Sequence, residues 1–164
     1  MNIGILVSGR GTNMESIIEA SEKGLIKSKI LVVISNKKDA LALSKAKKHG
    51  IQSIYVSPKN KSNEEYDKEI IKILDEYNVD FVVLAGYLRI LSSVFINKYP
   101  MKIINVHPSL LPCFGGKGFY GEHVHKAVLE SGMKFSGCTV HFVTNEVDNG
   151  PIILQKCVEI LDSD

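Results

Sequence analysis

Short aliphatic runs alternate with helical patterns along most of the chain, and the alternation predicts the elements. Residues 2–8 are a β-branched run that reads as a first strand, and residues 12–23 place Met14, Ile17 and Ile18 on one helical face. Residues 29–35 (Lys-Ile-Leu-Val-Val-Ile-Ser) form a second strand, followed by a helix over about 40–49 closed by Gly50 as a C′ residue. Residues 51–56 predict a third strand, broken by Ser57-Pro58. The best-formed helix spans 62–78, where Tyr66, Ile70, Ile73, Leu74 and Tyr77 make one stripe with charges opposite. Residues 80–85 read as a fourth strand, 92–98 as a short helix, 102–106 as a fifth strand, and 122–130 as a helix closed by Gly132. The end differs in kind: residues 137–143 alternate, and residues 151–160 can pair with them across the turn Asp148-Asn149-Gly150.

Strands apolar on both faces and separated by helices predict a parallel sheet covered on both sides. The expected fold class is therefore α/β, a Rossmann-like mostly parallel sheet with helices on both faces and an antiparallel C-terminal strand pair. A length of 164 residues, 45% of them hydrophobic, suits a single domain over 1–164. The net charge of +2 leaves no broad nucleic-acid footprint, although a few local donors suffice for a small anionic ligand. No run reaches the roughly 20 apolar residues of a membrane helix. The N-terminus lacks a basic leader and a cleavage site, and the three cysteines, Cys113, Cys138 and Cys157, fit a reducing compartment with small residues in the core or its margin. The expectations are a cytoplasmic protein with no nucleic-acid or membrane partner, either a monomer or a homodimer. No metal is expected, because the five histidines and the acids show no ligand spacing.

In such sheets ligands bind beyond the carboxyl ends of strands, so the loops there carry the candidate chemistry. Between strand 1 and helix 1 lies Ser8-Gly9-Arg10-Gly11-Thr12-Asn13, whose glycines let the backbone turn and whose helix-start amides suit a phosphate. It is a poor dinucleotide fingerprint, since Met14 stands where a third glycine belongs and Ser35-Asn36 replaces the ribose-binding acid. Read blandly, it is a tight turn with an N-cap at Gly11 or Thr12. The two arginines, Arg10 and Arg89, both follow strands, and their fork-shaped donors suit phosphate or carboxylate. Around Arg89 the loop Leu88-Arg89-Ile90-Leu91 is otherwise apolar, like the wall of a pocket for a flat organic ligand.

The most informative segment is Asn105-Val106-His107-Pro108-Ser109-Leu110-Leu111-Pro112. Alternation points Asn105 and His107 to the same side, and Pro108 stops the ladder. An amide and an imidazole together at a strand's carboxyl end suit attack on a carbonyl: the amide holds a developing oxyanion and the imidazole moves a proton. Asp148 sits in an ordinary turn, yet a carboxylate beside His107 would orient its ring. His141 reads either as a core histidine or as a support for that pair, while residues 115–121, rich in glycine, read as a mobile loop before His123 and His125.

On the motifs Ser8-Gly-Arg-Gly-Thr-Asn13, Ser35-Asn-Lys37, residues 84–91, Asn105-Val-His-Pro-Ser-Leu-Leu-Pro112, Thr139-Val-His-Phe-Val143 and Asp148-Asn-Gly-Pro-Ile-Ile153, the chain resembles the folate-dependent formyltransferases almost end to end. The first loop narrows the resemblance to the enzymes acting on glycinamide ribonucleotide. The resemblance implies transfer of a formyl group from 10-formyltetrahydrofolate, as co-substrate, to the amine of N1-(5-phospho-D-ribosyl)glycinamide in purine biosynthesis. It implies Asn105, His107 and Asp148 as the catalytic trio. Gly11, Thr12, Asn13, Met14 and Glu15 would hold the nucleotide, and Leu88, Arg89, Ile90, Leu91, Asn63 and Asn105 would face the folate. Three departures accompany it: Asn63 stands where many members carry an arginine, residues 113–121 are longer and richer in glycine, and the end at Asp164 is expected to fall short of a further helix and strand. The alternatives are a nucleotide- or folate-binding domain without turnover, another folate formyltransferase or deformylase, and, more remotely, a Rossmann dehydrogenase.

Overall fold

The computed structural model describes residues 1–161 and 163, so the expectation about the end at Asp164 lies outside the described residues. The chain divides into two compact units, Met1–Ile103 and Ile104–Asp164. In the first, β1 (Asn2–Val7), α1 (Thr12–Glu22), β2 (Lys29–Ser35), α2 (Leu41–Lys48), β3 (Gln52–Tyr55), α3 (Asn63–Glu76), β4 (Phe81–Leu84) and α4 (Ser93–Lys98) follow in order. Strands β3, β2, β1 and β4 lie side by side, all parallel, with Ile5 of β1 in register with Val33 on one side and Val83 on the other. The connections from β1 to β3 run one way along the sheet and the connection to β4 runs back. Right-handed crossovers therefore put α1 and α2 on one face and α3 on the other. The observed packing of α1 on α2 and of α3 on α4 agrees.

The apolar runs fill this core. Ile5, Leu6, Val7, Val32, Val33, Val82, Met14 and Leu74 are wholly shielded or nearly so, each such side chain contributing about 1.5–3 kcal/mol on leaving water. Helix α3 starts on a capping box: the Ser62 hydroxyl accepts the Glu65 N–H (3.2 Å) and the Glu65 carboxylate accepts the Ser62 N–H (2.7 Å). Ser62, chiefly through its N–H, holds the Glu65 carboxyl below its ordinary range. Tyr66, Ile70 and Leu74 of the predicted stripe are buried, but so is Asp67, which corrects the expectation that the charges of this helix all face away.

β5 (Ile103–His107) begins on the last residue of the first unit and otherwise belongs to the second, where α5 (Glu122–Glu130), β6 (Phe135–Phe142) and β7 (Ile152–Glu159) follow. β6 pairs antiparallel with β5 and with β7, placing Asn105 opposite His141 and His107 opposite Thr139. The chain leaving β5 is pinned from β6 and β7. The Thr139 hydroxyl donates to Ser109 O (2.7 Å) and accepts the Leu111 N–H (3.0 Å), and the Gln155 amide donates to Leu111 O (3.0 Å). The Leu111–Pro112 peptide is cis. β7 is exposed along its length. The expected fold class, Rossmann-like and mostly parallel with an antiparallel strand pair at the end, is the one observed.

Cys113 and Cys157 are exposed and Cys138 is half-buried, all as free thiols, so two of the three lie outside the core and margin expected for them. Their short loops and the exposed β7 strand simply leave those side chains in water. Among the described residues, no helix is long and apolar enough to cross a membrane, and no group of three or more His, Cys, Asp or Glu is arranged to hold a metal ion.

Candidate active site

The second unit gathers the predicted trio. His107 ends β5 with only 3% of its surface exposed, and its Nδ1 lies 3.5 Å from Asp148 Oδ2. The other carboxylate oxygen, Oδ1, lies 3.6 Å from Nε2 of His141, which is itself 1% exposed. Asn105 completes the set from across the β5–β6 ladder, its Nδ2 donating to His141 Nε2 (3.2 Å). One half-buried carboxylate, its side chain 11% exposed, thus stands between two imidazoles, and one imidazole holds the amide.

Hydrogen positions follow from the acceptors. Backbone carbonyls carry no hydrogen, so the ring nitrogen bonded to one must be the protonated nitrogen. His141 Nδ1 donates to Phe142 O (2.9 Å), which leaves its Nε2 as the acceptor for the Asn105 amide. That bond uses one hydrogen of the Asn105 NH2 group and leaves the second available for a ligand oxygen. His107 Nε2 donates to Phe114 O (2.8 Å), which turns Nδ1 toward Asp148. A proton can move between that imidazole and the carboxylate, while the amide beside them can donate to an oxyanion.

The first unit arranges the other predicted residues. Gly11 caps α1 in the left-handed conformation (φ 72°), where no side chain caps the helix, so its first-turn N–H groups stay free for an anion. Glycine is required there, because a Cβ would stand 2.6 Å from Ala42 Cβ and 2.8 Å from its Cα. Thr12 and Asn13 are exposed, whereas the Met14 side chain is fully buried, so only its backbone can face a ligand. Glu15 accepts from Lys45 (2.7 Å), and that bond holds its carboxyl below the ordinary range.

In the loop after β4, Leu88 and Ile90 project outward with 47% and 54% exposure, while Leu91 is buried. Asn63 clamps this loop. Its Oδ1 accepts from Arg89 Nη2 (2.8 Å) and its Nδ2 donates to Ile90 O (2.9 Å). The Arg89 guanidinium also stacks on the Tyr66 ring, 4.4 Å from its centroid. Asp67, buried below, accepts the Ser92 N–H (2.6 Å); burial pushes its carboxyl up, and the Ser92 donors and Arg89 pull it partly back. Ser8 ties the two loops of this unit together, its hydroxyl donating to Asn36 Oδ1 (2.6 Å) and accepting the Leu88 N–H (2.9 Å).

The structure therefore brings Asn105, His107 and Asp148 together in one unit, and Asn63 with Arg89 and Ile90 in the other. Of the two readings open for His141, it is a support of the pair. Sequence reasoning missed Asp67 and Phe114. Asp67 stands next to the apolar stripe position Tyr66, a signal that could have marked it. Phe114 acts through its carbonyl, which no side-chain pattern reveals. His123 and His125 are exposed, with the Tyr120 ring edge-on to His123 (5.1 Å between centroids).

The formyl transferase family model matches residues 1–164. The chain is 43% identical over 165 residues to the phosphoribosylglycinamide formyltransferase of Escherichia coli K12, covering all of this chain and 76% of that protein. It is 42% identical to the chloroplastic enzyme of the same name from Arabidopsis thaliana, spanning 99% of this chain but only 56% of that one. The crystal structure of glycinamide ribonucleotide transformylase 1 from Symbiobacterium toebii superposes with a TM-score of 0.94 at 41% identity, covering 100% of this chain and 76% of the other. With the family model matching residues 1–164 and a β5 segment and turn that set amide, imidazole and carboxylate together, the chain belongs to the formyl transferase family.

Proposed function

We propose that this chain transfers the formyl group of 10-formyltetrahydrofolate to the glycyl amine of N1-(5-phospho-D-ribosyl)glycinamide, a step of purine biosynthesis. The single observation that carries this reading is the Asp148 carboxylate set within 3.6 Å of both His107 and His141, with Asn105 bonded to the latter. The names of the relatives support the same substrates. Attack of the amine nitrogen on the formyl carbon forms the new C–N bond and places negative charge on the formyl oxygen. The free Asn105 N–H donates to that oxyanion, and the positive charge of protonated His107, whose two nitrogens already face Phe114 O and Asp148, stabilises it electrostatically. The amine gives up a proton to Asp148 through water. Collapse of the intermediate breaks the bond to the folate N10, which leaves with a proton from the site, so the balance closes on formylated product and tetrahydrofolate. Free helix-start amides at Gly11, Thr12, Asn13 and Met14, with Glu15 beside them, would hold the phosphoribosyl end. Leu88, Arg89, Ile90 and Leu91, braced by Asn63, would line the folate end, with Asn105 at the formyl group. Both partners are small molecules.

The test is formyl transfer by the purified chain with both substrates, read as product formation and as tetrahydrofolate release. Turnover that is lost in His107→Ala while both substrates still bind is the expected result. Binding of both without any turnover in the unaltered chain would favour a binding domain instead.

A further inference from the structure

The bend that follows the cis proline is not a passive connection. We propose that the backbone of Phe114–Gly116 is a positioning element for the transfer site: the Phe114 carbonyl fixes the hydrogen of His107 on Nε2, and the Gly116 N–H fixes the Asp148 carboxylate, so that His107 exchanges its mobile proton through Nδ1. The kinetic part of this inference rests on the formyl-transfer reading.

Two backbone groups flanking one glycine reach two different side chains of the trio. Phe114 O accepts from His107 Nε2 at 2.8 Å, and Gly116 N donates to Asp148 Oδ2 at 2.9 Å. The oxygen that receives the Gly116 hydrogen is the one facing His107 Nδ1 at 3.5 Å. The carboxylate is thereby held at the imidazole by a donor that never titrates. The remaining group facing the pair is His141, whose Nε2 lies 3.6 Å from Asp148 Oδ1 and carries no hydrogen while its Nδ1 donates to Phe142 O. Lys117, next along the segment, is exposed.

The backbone reaches these positions at a conformational cost. Phe114 (φ 52°) and Gly116 (φ 92°) are left-handed, and so is Asp148 itself (φ 55°); non-glycine residues there are disfavoured by about 1–2 kcal/mol. At Gly115 a Cβ would stand 2.5 Å from Leu111 Cδ2 and 3.4 Å from Asp148 Cβ, so a glycine allows the approach. The edge-on Phe119 ring, 6.0 Å from that of Phe114, buttresses the bend. Strain kept at the point where the loop touches a functional pair is what a positioning role requires.

The experiment compares Gly116→Ala with Gly118→Ala. Both glycines are left-handed (φ 92° and 96°) with open space where a Cβ would go, so the two substitutions carry matched strain. Only the Gly116 amide bonds Asp148. The ring nitrogens of His107 are followed by long-range ¹H–¹⁵N NMR, which needs no turnover, and steady-state kinetics are measured on the same samples. The unaltered chain should show the neutral ring with its hydrogen on Nε2 and none on Nδ1. Gly116→Ala keeps an N–H, but its Cβ disfavours the left-handed backbone that aims it at Asp148; it should mix the two tautomers and lower kcat by about 10–100-fold, the weakening of one hydrogen bond to a charged group, with KM within about twofold. Gly118→Ala should match the unaltered chain in both readouts. Nδ1–H as the neutral form in the unaltered chain overturns the inference, whether or not the variants fold. Equal kinetic losses in both variants with unchanged ring spectra overturn it too. Absence of turnover in the unaltered chain sinks the formyl-transfer reading alone, and the NMR comparison then decides this one.

Discussion

Replacing Asp148 by Asn isolates the charge at the centre of the site. The side chain keeps its volume and one oxygen, so the Gly116 N–H can still be accepted, while the negative charge between two imidazoles is lost. Unit charges 4 Å apart interact by about 4 kcal/mol at an effective dielectric constant near 20. The pair here is 3.5 Å apart with side chains 4% and 11% exposed, so solvent screens it weakly. If His107 is cationic in the transition state, most of that interaction is lost to the barrier. At 1.36 kcal/mol per factor of ten, a loss of about 3–4 kcal/mol lowers kcat by roughly 10²–10³-fold. The substitution changes neither the first helix turn nor the Arg89 loop, so KM for both substrates should stay within about threefold. Stopped-flow and steady-state assays of tetrahydrofolate release give both numbers, and a urea midpoint equal to that of the unaltered chain excludes misfolding. A variant retaining more than about a tenth of the original kcat would refute the reasoning, as would a loss confined to KM.

Asn63→Ala should free both Arg89 and Ile90 O and raise KM for the folate about tenfold, the cost of a charge-assisted hydrogen bond, with kcat little changed; an unchanged KM would show that the clamp does not shape the folate end. Gly11→Ala should destabilise the fold by about 2–4 kcal/mol, from left-handed strain plus overpacking against Ala42, measured as a lowered urea midpoint; a shift below about 0.5 kcal/mol would argue that the turn relaxes freely. Asp67 has its carboxyl raised above the ordinary 3.8 by burial. Between those two values the folded chain binds more protons than the unfolded one, so this group's contribution to stability falls as pH rises through the window and stays low above it. Asp67→Asn should remove that fall, seen as a flatter urea-midpoint profile from about pH 4 upward, and a profile parallel to the unaltered chain would contradict the burial argument.

The order of elements, the parallel core and the antiparallel end were legible along the chain, because burial on both faces of a strand and on one face of a helix imposes periods that composition carries directly. The candidate trio was half legible. Asn105 and His107 share a strand face by alternation alone, whereas the turn of Asp148 has no feature that separates it from other turns. Its nearness to His107 arises from the β5–β6 ladder and from a bend at Phe114–Gly116 that follows no periodicity. Tertiary structure alone also decided that His141 supports Asn105, that Asp67 is buried, and that Asn63 holds Arg89. Each of these joins residues 25 or more positions apart, or acts through a backbone carbonyl or amide whose direction is set by φ and ψ. The alphabet of side chains records what must leave water, and it says little about which polar group will be standing there when it does.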